Sequence, residues 1–222
     1  MSSSPPVLVS IMQSRSLARE LALLVLGQIP ERESSRLKTI SLESLLQKAF
    51  DTLSQHWREG LDTCAVELEN AQQHLLDSEF QDRDSSSTSQ VREHLQACLI
   101  GAEQVINGVS TSLEISRLLA LGNQEQIRLG ALERVRLVIE QRNSIDASID
   151  AVMEGWRLSR LPRIDRDILR LAVVDLTALQ TPFAVACNEA VELAHRYSDD
   201  QGRRMINGVL RRLHDASTMT LA

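Results

Sequence analysis

Residues 188–213, "NEAVELAHRYSDDQGRRMINGVLRRL", decide how this chain is read. An apolar helix carrying Glu189 and Glu192 stops at a polar break, and a second helix with four arginines follows. Ser198 and Gln201 have the spacing of a capping box, with Asp199 and Asp200 in the first turn, where carboxylates favour helix entry. Glu189 and Glu192 share a helix face but lack a partner for acid-base chemistry, so a solvated or ion-paired face is the expectation.

The basic ending contrasts with a net charge of -6 over 222 residues. The acidity is concentrated in residues 31–150, and both flanks are slightly basic. Nucleic-acid binding needs a local basic face and not a basic total, so it stays open. Aromatics make up 3% of the chain against 43% hydrophobic residues. With Leu, Ala, Glu, Arg and Gln abundant and no convincing alternation of strand type, an all-α fold is predicted.

Working outward, Thr181 and Pro182 read as N-cap and first residue of the helix through "FAVACNEAVELAHRY". Before it, Pro162 interrupts, Asp165 sits in a first turn, and Ile168, Leu169, Leu171 and Val173 predict a central helix. Ile145, Ile149, Val152 and Trp156 continue the preceding helix or form another. At the other end, Ser14 is a plausible N-cap for "RSLARELALLVLGQI", which places Arg15 and Arg19 on one face near the helix start.

The middle of the chain carries two apolar stripes at three-four spacing. One runs through Leu42, Leu46, Ala49, Leu53, Trp57, Leu61, Cys64, Leu68, Ala71 and Leu75, with a possible break at Gly60. The other runs through Val91, Leu95, Cys98, Ala102, Val105, Val109 and Leu113, and the polar run 81–90 joins them. An antiparallel hairpin sealed along these stripes is predicted, with a partner-binding arm as the alternative.

Cys64, Cys98 and Cys187 are far apart, so neither a disulfide framework nor a thiolate metal site is indicated. His56, His74, His94, His195 and His214 show no metal-ligand spacing along the chain. No glycine-rich phosphate loop, HExxH or nucleophile elbow occurs. No apolar run is long enough for a membrane span, and the start lacks the form of a signal peptide, so a cytoplasmic protein is expected.

The blocks "SRSLARELALLVL", "GWRLSRLPRIDRDILRLAVVDL", "TPFAVACNEAVELAHRYS" and "RRMINGVLRRL" resemble the NusB family of bacterial transcription antitermination factors, in family order. The resemblance implies two packed helical bundles, here with an inserted long hairpin at about 31–120 in a domain of residues 14–222, after a flexible tail 1–13. It implies no catalysis and no cofactor. It implies joining the small-subunit ribosomal protein NusE, binding boxA-type single-stranded RNA, and working within an antitermination complex on RNA polymerase. A homodimer and a protein-only adaptor using the acidic hairpin are the alternatives.

Carried over by motif, Arg15, Arg19, Arg166, Arg170, Gln201, Arg203, Arg204 and Met205 are the expected RNA-binding residues. Asp165, Leu23 and Gly27 are expected at the ribosomal-protein face. The arginines that begin the first and last helices are expected to converge on one surface, with Arg211 and Arg212 solvated beyond them. Gly208 is expected to mark close helix packing.

Overall fold

The computed structural model describes residues 6–30, 41–82 and 88–220, and the regular structure among them is helical. The helices are α1 Pro6–Gly27, α2 Leu42–Asp82, α3 Thr88–Gly122, α4 Glu125–Glu140, α5 Arg142–Val152, α6 Arg163–Thr177, α7 Phe183–Tyr197 and α8 Asp200–Thr220. A short 3-10 turn, Leu158–Arg160, lies between α5 and α6. No helix among the described residues is long and apolar enough to cross a membrane.

Two compact units result. One comprises residues 1–49 and 121–222, the other residues 50–120. In the first, α6 packs against α1, α4, α5, α7 and α8. Every residue from Asp167 to Asp175 is buried, because neighbours cover the helix on all sides. Leu21, Val25, Ile127, Val135, Ile168 and Leu210 are among the fully buried apolar side chains that join these helices.

Several expected boundaries shift. The first helix starts at Pro6 rather than Ser14, consistent with proline's preset φ at a helix start. The N-cap of α7 is Pro182 rather than Thr181, and no side-chain hydrogen bond caps it. At α8 the capping box is replaced by Asp199, whose carboxylate accepts from Gly202 N at 2.6 Å. The Ser198 hydroxyl is used elsewhere, as described below. A Cβ at Gly208 would meet only Arg212, at 3.9 Å, so that glycine does not mark close packing.

The second unit is an antiparallel pair formed by α2 and α3, and α2 continues through Gly60 without a break. Its seam keeps Cys64, Ala71 and Val105 of the expected stripes but not their leucines. Cys64 Sγ lies 3.9 Å from Val105 O, and a Cβ at Gly101 would stand 3.0 Å from the Ala71 Cβ. A Cβ at Gly108 would collide with Cys64 Sγ at 2.4 Å, and one at Gly60 would touch Ser112 Oγ at 3.5 Å. Small residues thus let the two backbones approach closely. The leucines predicted for the seam flank it, with Leu61, Leu68, Leu75, Leu95 and Leu113 all exposed.

The flanking residues are not scattered. Leu61, Leu68 and Leu75 each follow a seam position on α2, and Leu95 and Val109 do the same on α3. Leu99, Ile106 and Leu113 lie one turn further on. In an antiparallel pair these columns fall on the same side, so the hairpin carries one broad apolar face. Residues 83–87, the centre of the expected polar link 81–90, lie outside the described residues.

Candidate nucleic-acid interface

The arginines separate into those used inside the fold and those left on its surface. Arg19 is 3% exposed, donates from Nε to Asp175 Oδ2, and lies 3.6 Å from Glu189. Asp175 also accepts from Arg134 Nε at 3.0 Å. Arg170 is 4% exposed and donates to both carboxylate oxygens of Asp146, at 2.7 and 2.8 Å, and to Asp167 at 2.8 Å. Buried guanidiniums need such partners, because an uncompensated charge away from water is costly. These ion pairs pin α1, α4 and α5 to α6.

Arg15 is exposed at the rim of a groove of about 900 Å³ that Ala18, Gly130, Arg136 and the turn Leu179–Pro182 also line. That turn lies past the C-terminal end of α6. The start of α8 is at the other end. Ser198 Oγ donates to Asp165 Oδ1 at 2.6 Å, holding the approach to α8 against the first turn of α6. Gly202 fits there because a Cβ would stand 2.2 Å from Ser198 Oγ and 3.0 Å from the Asp165 carboxylate. The expected convergence of Arg15 and Arg19 with Arg203 and Arg204 therefore does not occur. Arg15 and the start of α8 lie at opposite ends of α6, whose 15 residues span about 22 Å at the helical rise.

The α6–α8 end brings together three of the expected residues, Asp165, Gln201 and Met205, around a groove of about 320 Å³. Gln201 is exposed and Met205 half-buried at its edge. Asp165 is 2% exposed, and burial, with Asp199 nearby, pushes its carboxyl above the usual range against the opposing Ser198 hydrogen bond. Arg204 is exposed, whereas Arg203 is half-buried and donates to Asp200 at 3.1 Å. Arg166 is half-buried. Arg211 is exposed as expected, but Arg212 is half-buried and donates to Val152 O at 2.8 Å, which ties α8 to the end of α5.

The same groove is lined by Trp156 and Arg160, which sequence reasoning did not select. Instead of continuing α5, the chain leaves the helix at Met153, and Gly155 turns it with φ +74. Asp150 Oδ1 accepts from Leu158 N at 2.7 Å and closes the loop. Trp156 is consequently 63% exposed, with the exposed Arg157 and Arg160 beside it. A large exposed ring between guanidiniums is what an unstacked base and its phosphates require. The adjacent arginines at 157 and 160 were the available signal in the sequence.

Of the residues expected at a protein face, Leu23 is 1% exposed and belongs to the core. Gly27 is exposed, with open space where a Cβ would project. Beside it, Arg163 donates to Leu26 O at 2.6 Å and to Ile29 O, closing the end of α1 against α6.

The sequence profile of the NusB family matches residues 104–215. The chain is 42% identical over 202 residues to the transcription antitermination protein NusB of Gloeothece citriformis, covering 90% of this chain and 93% of that one. It is 41% identical to that of Gloeobacter violaceus, covering 91% and 94%. It is 40% identical to that of Synechocystis, covering 93% of each chain. Such coverage runs across α2 and α3, so the long hairpin is part of what these chains share. With the profile match and this shared length, the chain belongs to the NusB family.

Proposed function

We propose that the chain is a non-enzymatic transcription antitermination factor of the cytoplasm, which binds boxA-type single-stranded RNA together with the ribosomal protein NusE on RNA polymerase. The observation that carries this reading is the exposed Trp156, set between Arg157 and Arg160 on the groove that Gln201 and Met205 line. Trp156 stacks a base, and the arginines hold the neighbouring phosphates. Arg204, Arg203 and Arg166 extend the basic surface at this end of α6. Arg15 lies at the other end, so a strand using both crosses the helices that cover α6. Arg19 and Arg170 contribute by holding helices in place, and Asp165 by fixing the start of α8. Gly27 leaves an open surface at the end of α1 for the ribosomal protein.

The test is an RNA titration at several salt concentrations with NusE present. Removing one arginine that binds a phosphate should flatten the log-log salt response by about 0.7. Arg160→Ala and Arg204→Ala are expected to do so, whereas Arg211→Ala is not. Equal flattening by all three would mean diffuse attraction to a basic helix instead of a site.

A second reading, an adaptor or homodimer working through the hairpin, is favoured by the apolar face of α2 and α3. Among the described residues, all the exposed large apolar side chains except Leu129 and Trp156 lie on the hairpin. The apolar face that Leu61, Leu68, Leu75, Leu95, Leu99, Ile106, Val109 and Leu113 form is typical of an interaction site. Sedimentation of the wild type and of Ile106→Glu checks this. A concentration-dependent larger species that disappears in the variant supports self-association, and a monomer in both contradicts it.

A further inference from the structure

The seam between α2 and α3 changes character towards its loop end. Along Gly60, Cys64 and Ala71 it is built of small residues. At the next seam position of α2 stands His74, facing His94 of α3 with ring centroids 5.8 Å apart and the planes tilted by 38°. Asp77 follows His74 by three residues, which puts it on the same helix face. One donor atom from each of the three side chains lies within 4.8 Å of the others. Gln73 Nε2 donates to Asp77 Oδ1 at 2.8 Å, which orients the carboxylate.

His74 Nδ1 is shut off from solvent and has no hydrogen-bond partner. A buried polar atom left in that state is unfavourable, so its place in the seam calls for a ligand. Two histidines and an acid are also unusual occupants for packing positions in a hairpin. The three residues come from two helices 17 positions apart at their closest, which is why no ligand spacing is visible along the chain.

We propose that His74, Asp77 and His94 form a binding site for a divalent transition-metal cation of the zinc type, which clamps α2 to α3. Two imidazole nitrogens and one carboxylate oxygen form a donor set suited to such a cation, whereas magnesium and calcium favour oxygen alone. Zinc binds these donors at about 2.0–2.2 Å, which sets tetrahedral donors roughly 3.4 Å apart. With three protein ligands, a water completes the shell, and Gln73 plays the part of the hydrogen-bonding group that steadies a ligating carboxylate. The clamp would stabilise the hairpin, since a cation bound only by the folded pair favours that state.

The full chain, stripped with a chelator, should be titrated with Zn²⁺ by calorimetry and with Co²⁺ by visible absorption. One cation per chain is expected, with intense tetrahedral Co²⁺ bands and a melting temperature that rises with Zn²⁺ concentration. His74→Gln and His94→Gln should each weaken Zn²⁺ binding about 100-fold or more, and Asp77→Asn by about tenfold. Circular dichroism establishes that the variants keep their helices. If a histidine variant loses helix content, Asp77→Asn, which keeps both imidazoles, decides alone. His56, His195 and His214 remain in every variant and report non-specific uptake. Absence of Zn²⁺ binding in the wild type, or unchanged affinity in the folded variants, overturns the proposal.

Discussion

Arg19 on α1 and Asp175 on α6, 156 positions apart in sequence, share a hydrogen bond inside the core from the guanidinium Nε to Oδ2. Arg134 of α4 uses the other carboxylate oxygen at 3.0 Å, so one acid joins three helices. Removing the acid leaves two buried cations without their shared partner. Asp175→Ala is expected to lose about 3–5 kcal/mol of folding stability, measured by urea denaturation. Arg19→Met should also destabilise, yet leave the salt dependence of RNA binding unchanged, because the side chain does not reach the surface. A flatter salt response in folded Arg19→Met would return this residue to the RNA-binding set.

Two glycines of α8 should respond in opposite ways to the same substitution. At Gly202 a methyl group would collide with Ser198 Oγ and crowd the Asp165 carboxylate. Gly202→Ala is therefore expected to cost about 1–3 kcal/mol and to weaken RNA binding through the displaced α8 start. At Gly208 the added methyl group meets open space apart from Arg212. Gly208→Ala should stabilise the helix by up to about 1 kcal/mol, the helix-propensity difference. Thermal melts of both variants check the pair.

Asp165 gives a pH prediction with a definite sign. Burial favours its neutral form in the folded chain, so the folded carboxyl holds its proton to higher pH than the unfolded one, whose pKa is about 3.9. The contribution of this group to stability therefore falls as pH rises from that value through the raised folded pKa. Asp165→Asn removes the effect while keeping an acceptor for Ser198. Relative to wild type, the variant should gain stability between about pH 4 and neutrality. A difference between the two that does not vary with pH would remove the physical basis of the prediction.

The sequence made the helical fold and the order of its elements legible because apolar spacing survives wherever helices bury one side. The run Ile168 to Val174 marked the central helix for a different reason, since a helix covered on all sides is apolar almost throughout. What escaped depended on tertiary partners. Arg19 and Arg170 look like surface cations until Asp175, Asp146 and Asp167 are placed beside them. The leucines were misplaced in the hairpin seam because leucine dominates an apolar pattern, whereas Gly101 and Gly108 contribute by occupying no space. Trp156 kept helical spacing with Val152, and only the turn at Gly155 reveals that it leaves the helix. The candidate site was therefore legible in Gln201, Met205 and Arg204, but not in its aromatic centre.

The most direct test of the account is the affinity of boxA-type RNA for Trp156→Ala, measured with the ribosomal protein present. Trp156 is largely exposed and contributes little to packing, so the variant should fold like the wild type. If the ring stacks a base, affinity falls by about 1–3 kcal/mol, or roughly five- to 150-fold. The salt slope should stay the same, since no charge is removed. Affinity within twofold of wild type would contradict a binding surface centred on the α6–α8 groove.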